Sequence, residues 1–78
     1  MLGDFIRTSI EAGTENLYAA ALELMERELL VDVLRHTDGN QQQAAKILGI
    51  TRGTLRTKTR ALGIGIGKSV WSEENHTD

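Results

Sequence analysis

Between positions 51 and 60 the chain reads Thr51-Arg52-Gly53-Thr54-Leu55-Arg56-Thr57-Lys58-Thr59-Arg60, cations interleaved with hydroxyls and one aliphatic residue. A guanidinium presents a planar fork of donors that bridges phosphate oxygens, or the O6 and N7 of a guanine. Hydroxyls and an ammonium add further donors for phosphate. By this chemistry Arg52 and Arg56 are the candidates for base edges, and Thr54, Thr57, Lys58 and Arg60 for phosphates. Gly53 would let a backbone approach closely, where a side chain would stand off. A cationic run is ordinarily a solvated face and no more, so the reading depends on the elements that hold it.

Bond-making chemistry finds no support. His36 and His76 lack partners at metal-ligand spacing. Glu23, Glu26 and Glu28 read as the solvated side of a long helix, able to pair only weakly with Arg27 or Arg35. Cysteine is absent, which excludes a disulfide framework and a thiolate metal site. No nucleophile–base set, Walker loop or dinucleotide fingerprint occurs. The expectation is a protein that is not an enzyme, with no metal, cofactor or small-molecule substrate.

Two short helices joined at Gly49-Ile50 account for the cationic stretch. Asn40 is placed to cap the first helix, with Gln43 three residues on completing a capping box. Ala44, Ala45, Ile47 and Leu48 give it a small apolar side, and Gly49 suits a left-handed helix end. Ile50 plugs the turn, and Thr51 caps a second helix predicted from Arg52 to Leu62, stopped by Gly63. At about 100° per residue, Leu55, Thr59 and Leu62 share one face. Gly53, Thr57 and Arg60 lie opposite, flanked by Arg52, Thr54 and Arg56. Thr59 interrupts the inward face. Asn40, Gln41 and Gln42 stand at the first helix N-terminus, where free N–H groups favour an anion.

These residues carry a resemblance. Gly39-Asn40-Gln41, Ala44-Ala45, Gly49-Ile50, Arg52-Gly53-Thr54-Leu55-Arg56 and Lys58, with Leu17-Tyr18, Glu26, Leu29-Leu30 and Thr37 upstream, match the Fis-type helix-turn-helix. That module forms the nucleoid protein Fis and the C-terminal domain of NtrC-like activators. The match covers most of residues 4 to 64. It departs at Thr59, where the family usually has leucine, and at Thr51, where it often has asparagine. The resemblance implies an all-α fold of four helices, two N-terminal ones forming a dimer interface and two C-terminal ones the helix-turn-helix. It also implies a base-reading or groove-entry role for Thr51 and Arg52.

Charge is segregated in the same sense. The net charge is −2 over 78 residues, yet positions 39 to 72 hold six bases and no acid. Positions 1 to 38 hold eight acids against three bases. The basic charge therefore falls on the half proposed to meet a polyanion.

Upstream, Asp4 to Ala12 reads as a short helix containing Phe5, Ile6 and Ile10. Gly13 breaks it and Thr14 is a plausible cap for a long helix from Glu15 to about His36. Leu17, Ala21, Leu24, Met25, Leu29, Val33 and Leu34 recur there at three- and four-residue steps. Tyr18, Leu22 and Leu30 widen that stripe beyond what one small core needs. Phe5, Ile6, Ile10, Leu17, Tyr18, Ala21, Leu22, Met25 and Leu29 are the predicted contacts of a homodimer. Residues 1–64 are expected to form the domain. Residues 65–78, where Gly65 and Gly67 alternate with isoleucine, are expected to be a flexible acidic tail carrying a stray Trp71.

The expected function is sequence-specific binding of double-stranded DNA, a homodimer reading a palindromic site in the major groove. The expected context is the output domain of an NtrC-like, sigma-54-dependent activator or response regulator, since the segment ahead of Leu17 is short in the NtrC-like manner. The alternative is a free-standing Fis-like protein that bends nucleoid DNA. With no signal peptide or membrane-spanning run, a cytoplasmic, nucleoid-associated location is expected.

Overall fold

A computed structural model describes residues 2–66 and 70–72. Four helices form the framework: α1 (Leu2–Glu11), α2 (Leu17–His36), α3 (Gln41–Leu48) and α4 (Arg52–Ala61). They are followed by two short strands, β1 (Ile64–Ile66) and β2 (Val70–Ser72). The fold is all-α with this small hairpin added at its end.

Each helix ends as its sequence dictates. Gly13, Asp38, Gly49 and Gly63 all take positive φ immediately past a helix. At the end of α3, Gly49 has φ 74°, and the N–H of Ile50 donates to Ala45 O at 3.1 Å. That bond satisfies a terminal carbonyl and turns the chain sharply into α4. The turn from α2 to α3 is stapled differently. The buried Thr37 hydroxyl lies 3.2 Å from Leu34 O and 3.1 Å from Asn40 O. Its single proton donates to either carbonyl.

At the start of α2 the expectation is corrected. The residue at the cap position is Asn16, held at φ 59° with no side-chain cap bond, and Thr14 lies outside. The Thr14 N–H instead donates to Ser9 O at 2.9 Å, closing α1. Thr14 is therefore spent on ending one helix and is too early to begin the next.

The core sits where α2, α3, α4 and the hairpin meet. It comprises Leu30, Val31, Leu34, Ala44, Ala45, Leu55, Ile64 and Val70, with Leu34 and Leu55 fully buried. The alanines let α3 approach closely. Thr59, the departure from leucine, is buried, and its hydroxyl donates to Arg56 O one turn back at 3.0 Å. A buried hydroxyl is tolerated because it is hydrogen-bonded.

The hairpin overturns the expected tail at residues 65, 66 and 70–72. β1 and β2 pair antiparallel, Ile64 opposite Ser72, Gly65 opposite Trp71 and Ile66 opposite Val70. Ile64 and Ile66 share one face, and Ile64 and Val70 enter the core. Arg35 Nε donates to Val70 O at 3.2 Å, fastening β2 to α2. Gly65 stands between these two isoleucines, on the other face of the strand. The rest of the expected tail, 67–69 and 73–78, lies outside the described residues.

The hairpin's contribution can be measured. Ile64→Ala is expected to destabilise the protein by about 2–5 kcal/mol, the range for truncating a buried aliphatic. Urea unfolding with an unchanged midpoint would show that β1 does not belong to the core.

Candidate nucleic-acid interface

The second helix of the pair, α4, is short and polar, and its local sequence explains its position. Thr51 Oγ1 accepts the Thr54 N–H at 3.0 Å, the expected N-cap. The Thr51 hydroxyl donates in turn to Thr54 Oγ1 at 2.8 Å. Leu55 and Thr59 face the core, which turns Arg52, Gly53, Thr54, Arg56, Thr57 and Arg60 outward, all of them exposed.

The cations divide by partner. Arg7 pairs with Asp4 at 3.1 Å, Arg27 with Glu23 at 3.2 Å, and Lys58 with Glu26. Among the described residues, nothing hydrogen-bonds or pairs with the side chains of Arg52, Arg56 or Arg60. These guanidiniums share one exposed helix with no acid on it. A Cβ added at Gly53 would meet nothing within 4 Å, so the surface there is open.

The other predicted site residues are less uniform. Asn40 caps α3, its Oδ1 accepting the Gln43 N–H at 3.1 Å. The reciprocal arm of the capping box, from the Gln43 side chain, does not form. Gln42 is exposed, whereas Gln41 is half-buried and its Oε1 is sequestered without a hydrogen-bond partner. Lys58 is the clearest displacement from expectation. It stands on the flank of α4 toward α2 and pairs with Glu26, which the sequence reading left on a solvated side. A wheel gives its angle but not the neighbour waiting there.

The apolar residues expected at a dimer interface are largely open. Ile10 is 63% and Tyr18 81% exposed, and Ile6, Leu22, Met25 and Leu29 are exposed with them. Phe5, Leu17 and Ala21 are half-buried. Leu2, exposed one turn before Ile6, extends the stripe at helical spacing. Among the described residues no group of His, Cys, Asp or Glu is arranged to hold a metal, and no helix is long and apolar enough to cross a membrane.

A steeply turned pair of helices on a long platform helix defines a helix-turn-helix domain, and comparison with known proteins gives it a family. Residues 21–62 match the bacterial regulatory protein, Fis family. The chain belongs to that family. It is 42% identical over 64 residues to the DNA-binding transcriptional regulator NtrC of Klebsiella pneumoniae, covering 82% of this chain and 14% of that protein. It is 43% identical over 60 residues to a putative Fis-like DNA-binding protein of Xylella fastidiosa, covering 77% of this chain and 67% of that one. With the DNA-binding protein Fis of Glaesserella parasuis it shares 49% over 49 residues, 63% of this chain and 50% of that protein. The chain thus spans about one seventh of its NtrC relative and two thirds of the Xylella one. No solved structure matches it.

The cap can be tested apart from any ligand. Thr51→Ala is expected to cost about 1 kcal/mol of stability and Thr51→Ser almost none, since serine keeps the acceptor. Equal losses in chemical denaturation would remove Thr51 from the capping role.

Proposed function

We propose that this chain is a DNA-binding domain that reads double-stranded DNA as a homodimer, inserting α4 into the major groove. The observation that carries the reading is the exposed face of α4, where Arg52, Arg56 and Arg60 project without acidic partners among the described residues. Elsewhere in the domain, acids or backbone carbonyls engage Arg7, Arg27, Arg35 and Lys58. Three guanidiniums on one helix with no acid of its own repel one another and attract a polyanion. Arg52 and Arg56 are assigned to base edges, and Thr54, Thr57 and Arg60 to phosphates. Gly53 admits the sugar–phosphate backbone. At the start of α3, Asn40 and Gln42 are the better placed donors, because Gln41 is partly turned inward.

The dimer reading rests on the exposed stripe. A core of eight apolar residues leaves Leu2, Ile6, Ile10, Tyr18, Leu22, Met25 and Leu29 in water, too contiguous a patch for a lone soluble domain. A second copy related by a two-fold axis covers like with like and gives the complex the symmetry of a palindrome. In its larger context the domain is the output module of an NtrC-like, sigma-54-dependent regulator acting at the nucleoid, in keeping with its 82% coverage by NtrC of Klebsiella pneumoniae. A free-standing Fis-like protein is the second reading. Its support is the Xylella relative, two thirds of whose length this chain spans.

Binding-site selection from random duplexes followed by affinity measurement tests the proposal. Arg56→Ala is expected to weaken binding to the selected site by about 1–3 kcal/mol, with a smaller loss on random DNA. Equal losses on both would move Arg56 to the phosphate backbone. Sedimentation is expected to show a dimer; a folded, stable monomer at high micromolar concentration would contradict the assembly.

A further inference from the structure

We infer that Glu26 and Lys58 form a tie that sets the orientation of α4 on α2, making Lys58 a positioning residue and not a phosphate anchor. The inference rests on the DNA-reading proposal above and deepens it. α4 packs chiefly against α3 and β1, while polar contacts from α2 reach Lys58 and the C-cap residue Leu62. Lys58 Nζ meets Glu26 Oε2, and the next residue of α2, Arg27, donates from Nη2 to Leu62 O at 3.5 Å. Adjacent residues of α2 therefore meet α4 at Lys58 and its C-cap at Leu62. The second tie also places a guanidinium at a helix C-terminus, where exposed carbonyls attract it.

The tie matters because α4 commits few side chains to the core. Only Leu55 and Thr59 are buried along its ten residues. A rotation would carry Arg52, Arg56 and Arg60 away from the groove together. The pair borders a groove of about 410 Å³ lined by Leu22, Met25, Leu29, Leu30, Leu48 and Ile50. The apolar wall lowers the local dielectric and strengthens the attraction. A second copy laid over Leu22, Met25 and Leu29 excludes more water from the same pair. Assembly and the aim of α4 are coupled through Glu26 and Lys58.

The full chain tests this with Lys58→Met, Glu26→Gln, Lys58→Glu and the exchanged pair Glu26→Lys with Lys58→Glu. Unfolding without DNA comes first: a double-mutant cycle is expected to show coupling, and strictly additive effects would overturn the tie. Affinity for a selected duplex is then measured between about 50 and 200 mM salt. Lys58→Met and Glu26→Gln are each expected to weaken binding about two- to fivefold, the scale of a partly exposed pair. The salt dependence should match wild type, and the exchanged pair should recover most of what Lys58→Glu loses. A phosphate anchor gives the opposite pattern. Lys58→Met then flattens the salt slope by about 0.9 per protomer, Glu26→Gln binds at least as well as wild type, and the exchange fails to rescue; that result overturns the assignment. A wild-type chain that binds no duplex would overturn the DNA reading itself, while the unfolding cycle still reports on the tie.

Discussion

Leu34 of α2 and Leu55 of α4 are the largest fully buried side chains of the core, and the remaining architecture is arranged about their burial. A domain this small has little apolar surface to spend on any one helix. α4 contributes only Leu55 and Thr59 to the interior, so its other faces are available for solvent and ligand. Among the described residues, the same economy leaves the outer stripe of α1 and α2 exposed. One constraint, a core of eight residues, thus produces both the open cationic face and the open apolar one.

The turn between α3 and α4 converts that constraint into geometry. Ala44 and Ala45 allow close helix contact, Gly49 reverses the chain in a left-handed conformation, and Thr51 restarts it with a side-chain cap. The bonds of this turn are local, Ile50 N–H to Ala45 O and Thr54 N–H to Thr51 Oγ1. The arginines are thereby spared for external partners. The hairpin then closes the open end of the core with Ile64 and Val70, beyond the segment that matches the family.

Much of this was legible in the sequence, because it depends on local chemistry. Asn40, Gly49 and Thr51 announce helix boundaries through caps and conformational preference, and the four helices follow within a few residues. The hairpin was hidden by Gly65 and Gly67, which weaken strand propensity and mask the alternation of Ile64 with Ile66. The cap of α2 was misplaced because Thr14 satisfies the usual preference, whereas Asn16 acts through its left-handed backbone. Lys58 and Glu26 lie far apart in sequence, and no periodicity in either helix reveals that they meet. Non-local contacts are where the sequence reading ran short, and they decide which cations remain free.

The proposed binding mode places two copies of α4 in successive major grooves on one side of a duplex. Protection of guanine N7 from dimethyl sulfate on a selected site reports on the major groove directly. Two protected tracts about one helical turn apart, roughly 10 base pairs, are the result expected, and both should vanish together in Arg52→Ala with Arg56→Ala. A single tract, or guanines that stay reactive while the duplex is bound, would contradict it.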